Sequence, residues 1–168
     1  MLETPRLLIR NLTAEDADAV FAMRRDPEIM RFIREPQENI LETVNWIAMI
    51  TGHMETTGIG FMAVIEKESG HFLGWCGLWV LKETSEIEIG YAVKKESWGK
   101  GYATEASQRV LRYAFEDLSL ERVVAVAYPE NSASINIMKK LGMSCVGVGR
   151  FYEQELIQYA IRKEDFFD

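Results

Sequence analysis

The chain has 168 residues, with 19 Lys plus Arg against 26 Asp plus Glu, for a net charge of −7. Apolar residues make up 48% and charged residues 27%, which excludes a disordered chain; the length suits one domain, residues 1–168, that needs no staples. The acidic balance argues against nucleic acid or an anionic membrane surface as a partner.

The elements alternate along the chain. Arg6 to Arg10 reads as a strand opened by Pro5. Thr13-Ala-Glu-Asp16 has capping-box form, and its helix runs to about Arg25, before Pro27. Pro36 suits the first position of a second helix, with Ile40, Leu41, Val44, Ile47 and Ala48 on one face and Gly52 at its end. Ile59–Lys67 and Phe72–Leu81 are β-rich and joined by Glu68-Ser69-Gly70, a hairpin signature. Glu86–Val93 alternates, with Glu86, Glu88 and Gly90 on one face and Ile87, Ile89 and Tyr91 on the other. Thr104–Phe115 is helical, and Arg122–Ala127 is a buried-type strand. Asn131–Leu141 is a helix capped by Asn131 and closed by Gly142. Strands near Met143–Val148 and Glu155–Arg162 finish the chain. The order β-α-α-β-β-β-α-β-α-β-β predicts an α/β protein with a mixed sheet and helices on its faces.

Cys76 and Cys145 lie far apart with no CxxC, so a disulfide framework is not expected and both read as reduced core thiols. Two histidines, His53 and His71, are too few for a His-based site, and no metal is expected. The most apolar run, Phe72–Leu81, is about half the ~20 residues of a membrane span. The N-terminus carries Glu3, Pro5 and Arg6 in place of an apolar signal, which predicts a cytoplasmic protein.

The sharpest motif is Trp98-Gly-Lys-Gly-Tyr-Ala-Thr104, placed between a strand and a helix. Gly99 and Gly101 permit backbone conformations closed to other residues and let a ligand approach the main chain. Amides converging at a helix N-terminus suit a diphosphate. The loop is neither a Walker A sequence nor GxGxxG.

This segment resembles the Q/R-x-x-G-x-G/A coenzyme A loop of the GNAT N-acetyltransferase superfamily, with Gly101 and Ala103 at the small positions and Trp98 in place of Gln or Arg. Pro129–Ser134 followed by Lys140-Leu-Gly-Met143 is similar to that family's second cofactor-proximal segment. The opening Leu2–Arg10 and Asp26-Pro27 look like the branch containing the RimJ/RimL ribosomal-protein acetyltransferases. The resemblance covers nearly the whole chain and implies a GNAT-like acyl-CoA fold, with a splay between the fourth and fifth of the predicted strands. It implies acetyl-CoA as donor, held by Tyr91, Ala92 and Val93, by Trp98, Gly99, Lys100, Gly101, Tyr102, Ala103 and Thr104, and by Asn131. Gly90 inside its strand signals a bulge or a close approach.

Direct acyl transfer to an amine needs a base for the amine, polarisation of the carbonyl and a proton for the departing thiolate. Glu88, two residues before Gly90 on the same face, is the candidate base; Glu86 is the second choice, and both also fit solvated strand carboxylates. The family's usual Tyr acid falls at Met138, which cannot donate a proton. Ser134 is the candidate thiolate donor, equally readable as a helix-start serine on the Asn131 cap; Tyr91 and Tyr152 are weaker candidates. Met30, Phe32, Trp46, Trp75, Tyr152 and Glu153 are candidates for the acceptor pocket, each also fitting ordinary packing. Deprotonating an α-amine at neutral pH costs about 1.4 kcal/mol, against about 4.6 for a lysine. That arithmetic, with the branch resemblance, favours a primary-amine acceptor at a protein N-terminus, such as a ribosomal protein. A small-molecule amine (polyamine, amino acid or antibiotic) is the alternative, and a non-catalytic acyl-CoA-binding module is a third reading. Monomer and homodimer are equally open.

Overall fold

The computed structural model describes residues Met1–Phe167. Eight strands form one sheet: β1 (Leu2–Glu3), β2 (Leu7–Asn11), β3 (Phe61–Glu66), β4 (Phe72–Leu81), β5 (Glu86–Val93), β6 (Arg122–Ala127), β7 (Ser144–Phe151) and β8 (Gln154–Arg162). Their spatial order is β1-β2-β3-β4-β5-β6-β8-β7, and every neighbouring pair is antiparallel except β5 with β6. Six helices accompany them: α1 (Ala17–Arg24), α2 (Pro27–Met30), α3 (Ile40–Thr57), α4 (Tyr102–Glu116), α5 (Ser132–Lys140) and α6 (Lys163–Phe167). The α/β order read from the sequence holds, with β1, α2 and α6 added.

The sheet is apolar on both faces. One face carries Leu7, Ile9, Met62, Val64, Cys76, Leu78 and Ile89, covered by α4 through Ala106, Val110, Leu111, Ala114 and Phe115. Those five α4 residues are fully buried, so Phe115→Ala would cost about 3–5 kcal/mol. The other face carries Ala63, Ile65, Trp75 and Ala92 against Val20, Met23, Ile47 and Ile50 of α1 and α3. Farther along that second face a smaller cluster joins Leu81, Val124, Phe151 and Leu156.

Local chemistry explains most boundaries. The Asp16 carboxylate accepts from the Thr13 N–H at 2.8 Å and from both terminal nitrogens of Arg10, at 2.7 and 2.8 Å. The arginine beside it and the bonds from Thr13 hold its pKa below the usual carboxylate value, against the opposing effect of burial. A 3-10 turn over Ala14–Asp16 therefore precedes α1. Pro36 does not start a helix. Asn39 does, accepting from the Leu41 N–H at 2.9 Å, and Pro27 instead opens the short α2. Gly52 lies inside α3, which continues to a left-handed Gly58 cap with φ of 74°. The buried face of α3 is Thr43, Ile47, Ile50 and Met54, while Leu41 is 61% exposed. Cys145 is exposed and not a core thiol, because β7 is the sheet's edge strand; Cys76 is buried as expected. Gly90 is a close approach without a bulge: a Cβ there would lie 2.9 Å from the Phe61 ring, while the β4–β5 register runs unbroken.

Candidate active site

The two parallel strands meet at one register pair, Glu88 with Val124, and part beyond it toward Val93 and Ala127. This is the splay expected between the fourth and fifth predicted strands. Among the described residues Gly90, Tyr91, Ala92 and Val93 have no register partner on β6, which leaves a slot between the two strand edges. Alternation along β5 then sends successive side chains to opposite faces. Glu88, Gly90 and Ala92 look toward the α1–α3 side, in register with Trp79, Gly77 and Trp75 of β4. Ile89 and Tyr91 look toward α4 and α5.

On the α5 side the Asn131 side chain accepts from the Ser134 N–H at 3.2 Å, which is the expected cap. The Ser134 hydroxyl lies 3.0 Å from the Tyr91 hydroxyl, which also donates to the Ser134 carbonyl at 3.2 Å. Tyr91 and Ser134 thus form one hydroxyl pair between β5 and α5. Burial raises the Tyr91 pKa, so the pair stays protonated and able to donate. Met138, at the position where the resemblance puts a tyrosine, is buried core.

On the other side Glu88 is 8% exposed. Burial pushes its carboxyl up to about 7; the Tyr152 hydroxyl, donating to its Oε1, pulls the other way, and the negative Glu83 adds to the rise. A carboxylate poised near neutral pH is what a general base requires. Glu86, the second choice, is tied to Arg122 by an ion pair of 2.8 Å and accepts from the Gln158 amide at 3.3 Å, so it already has partners. Of the expected acceptor-pocket residues, Met30 and Trp75 are sealed in the α1–α3 core and Glu153 is exposed at a turn. Trp46 is half-buried between Phe61 and Trp75, and Phe32 packs on Tyr128 at the end of β6, 5.7 Å between ring centres. Among the described residues, Tyr152 is the one of these candidates that hydrogen-bonds to Glu88.

The glycine loop lies at the mouth of the slot. Gly99 and Gly101 have φ of 74° and 81°, the left-handed region. A Cβ on Gly99 would meet nothing within 4 Å, and one on Gly101 only the Arg6 guanidinium at 3.5 Å. The loop therefore presents open main chain leading into the 15-residue α4, whose first amides point the same way. The Trp98 indole N–H donates to the Val93 carbonyl at 2.8 Å, which pins the loop to the end of β5. Arg6 holds it from the far side, donating to the Lys100 carbonyl at 3.0 Å, pairing with Glu105 at 2.6 Å and lying 4.5 Å from the Tyr102 ring centre. Tyr102 and Ala103 are buried beneath the loop. The open backbone, positive φ angles and flanking Arg6 and Lys100 fit a diphosphate ligand. Among the described residues no cluster of three or more His, Cys, Asp or Glu is placed to hold a metal, and no helix is long and apolar enough to cross a membrane.

Sequence reading missed the buttress from Arg6 and the bond from Trp98. The Tyr152 contact is also new, although the Tyr-Glu pair at a two-residue hairpin turn is an unusual choice that marks it.

Known proteins agree with this geometry. A family model for the acetyltransferase (GNAT) domain matches residues 6–144. An uncharacterised N-acetyltransferase, p20, of Bacillus licheniformis is 33% identical over 155 residues, covering 91% of this chain and 87% of that protein. A GNAT-family acetyltransferase structure from Bacillus anthracis superposes with a TM-score of 0.84 at 28% identity, covering 97% of this chain and 98% of the other. Two more distant structures share the fold. One is a ribosomal-protein-S5-alanine acetyltransferase of Vibrio fischeri, with TM-score 0.82 at 16% identity and 98% and 97% coverage. The other is a spermidine N-acetyltransferase of Vibrio cholerae with CoA and spermine, with TM-score 0.81 at 19% identity and 98% and 100% coverage. With its sheet split beside a glycine loop and 139 consecutive residues inside the family match, this chain belongs to the GNAT acetyltransferase family.

Proposed function

We propose that this protein transfers acetyl from acetyl-CoA directly to a primary amine, without a covalent acyl-enzyme. The observation that carries the reading is the opposed pair at the slot: Glu88 on one face of β5, and Tyr91 with Ser134 on the other. The loop Trp98–Thr104 holds the CoA diphosphate through its amides, and the parted edges of β5 and β6 receive the pantetheine arm beside Asn131. When bound, the thioester supplies the acyl group and the thiolate leaving group. Glu88 takes the proton that the amine sheds as it attacks. The Tyr91–Ser134 pair supplies a proton or hydrogen bond to the departing sulfur, the part that Met138 cannot play. Cys76 is no acyl carrier, since burial pushes its thiol up to about 12.

The acceptor in this reading is a protein N-terminal α-amine. The RimJ/RimL-like opening of the chain supports it, as does the lower cost of deprotonating an α-amine. A polyamine is the second reading, favoured by the carboxylates of Glu83, Glu86 and Glu88 gathered at this end of β5. Glu88→Gln tests the chemistry. It is expected to lower kcat by about 10²–10⁴-fold and to remove the acid limb near pH 7, with acetyl-CoA affinity unchanged. An unaltered pH–rate profile would make Glu88 a buried structural carboxylate and remove it from the reaction.

A further inference from the structure

The hairpin from β7 to β8 turns on two residues, Tyr152 and Glu153, between the paired Phe151 and Gln154. Both have positive φ, 51° and 62°. This is the geometry for which hairpins choose Asn-Gly or Gly-Gly, because a Cβ there crowds the neighbouring carbonyl and asparagine offsets this with local hydrogen bonds. Tyrosine and glutamate here hold strain, and such strain persists where the surrounding structure uses it.

The side chain shows the use. The Tyr152 hydroxyl donates to Glu88 Oε1 across the open end of the second sheet face. The Tyr152 N–H donates to Glu83 Oε1 at 2.5 Å, fastening this turn to the one between β4 and β5. Glu88 Oε2 makes no hydrogen bond among the described residues, yet it is not one of the sealed polar atoms without a partner. One oxygen is capped, and the other remains open. Other titratable groups on this face include the Glu86–Arg122 ion pair, Arg162 opposite Arg122 on β8, Tyr128 against the Leu81–Val124 cluster, the exposed Glu153, and His53, whose ring centre is 4.7 Å from that of Trp79, the β4 partner of Glu88. None of them bonds to Glu88.

We propose that Tyr152 is the positioning residue for Glu88: its hydroxyl fixes Oε1 and leaves Oε2 alone to receive the proton of the acceptor amine. The strained turn is the means by which a tyrosine reaches that oxygen. This inference rests on the reading of Glu88 as the base. It adds a second control, since Tyr152 stabilises the ionised carboxylate while Glu83 opposes it.

The test compares Tyr152→Phe, Tyr152→Asn, Glu83→Gln and Glu88→Gln in the intact chain. The Glu88 carboxyl is titrated by carbon-13 NMR on Glu-labelled protein, with Glu88→Gln assigning the signal. The pH profile of kcat/KM is measured with a free-N-terminus peptide, or with spermidine should the peptide not react. Tyr152→Phe keeps the ring and loses the hydroxyl; both the titration and the acid limb should move up by about one pH unit, and kcat/KM at pH 7 should fall about fivefold. Tyr152→Asn should give the same shift without a larger loss of melting temperature, because asparagine suits positive φ. Glu83→Gln keeps an acceptor for the Tyr152 N–H and removes the charge, so the limb should move down. If Tyr152→Phe titrates and reacts like wild type while Glu88→Gln loses the limb, the positioning role is refuted and the base stands. If Glu88→Gln itself keeps the wild-type profile, the base reading fails, and this inference with it.

Discussion

Replacing Glu88 by Gln should stabilise the protein above neutral pH while it removes activity. The folded-state value near 7 stands above the ordinary 4.5, so the folded chain holds this proton over a range where the unfolded chain has lost it. Stability is therefore lost as pH rises through that window, at about 1.4 kcal/mol for each pH unit between the two values. Over the full window the buried charge costs about 3 kcal/mol, and between pH 5 and pH 8 the wild type should lose about 2.5 kcal/mol relative to Glu88→Gln. Glutamine has the same shape and still accepts from the Tyr152 hydroxyl, so the offset near pH 5 should be under about 1 kcal/mol. Urea unfolding of both proteins at four or five pH values measures this directly. Parallel stability curves for the two proteins would refute the reasoning, because they would mean that Glu88 titrates at its ordinary value in the folded state.

Three further outcomes follow from the same geometry. Gly101→Glu should abolish acetyl-CoA binding by calorimetry, since it puts a carboxylate and a non-glycine residue at φ of 81° where the diphosphate belongs; unchanged affinity would remove the loop from the cofactor site. Tyr91→Phe and Ser134→Ala should each slow single-turnover acyl transfer about tenfold or more, with the double variant little worse than either single one, because the two hydroxyls act as a pair; full additivity would separate them. Arg24 is 3% exposed, lies 4.2 Å from the Trp46 ring centre, bonds Gln37 at 3.0 Å and leaves one terminal nitrogen without a partner. Arg24→Met should therefore be neutral or stabilising by about 1 kcal/mol, since burial and the like charge of Arg34 outweigh the pull of Glu42 and no carboxylate is ion-paired with the guanidinium; a loss above about 3 kcal/mol would show that it is fully compensated.

Strands were legible where alternation or a continuous apolar run was strong, and β4, β5 and β6 have the bounds read from sequence. Helix α3 was misread because two local signals lost to packing. Gly52 costs about 1 kcal/mol in a helix interior, yet Ile50 and Met54 on either side are buried, and that burial outweighs the propensity. Pro36 lies in the segment that Gln37 fastens to Arg24, the Gln37 N–H donating to the Arg24 carbonyl at 2.8 Å, so the helix begins only at Ile40, behind the Asn39 cap. The shared face of Glu88 and Gly90 was legible from their spacing of two residues. Tyr152 was read as a weaker donor and pocket candidate, but its contact with Glu88 was not legible, because contact between a hairpin turn and a strand 64 residues away depends on sheet order, and β8 inserts between β6 and β7. Arg6 was read only as part of a family opening; its hold on the Lys100 carbonyl appears when β2 packs beside α4.

The most direct measurement is free-thiol release from acetyl-CoA by the purified protein. Three acceptors are compared: a peptide with a free N-terminus, a lysine peptide with its N-terminus blocked, and spermidine. Release is expected only when an amine is present, with the free-N-terminus peptide the best acceptor. Release with spermidine and none with the peptide would move the enzyme to small-molecule amines. No release above background with any of the three would contradict amine acetylation at the β5–β6 slot.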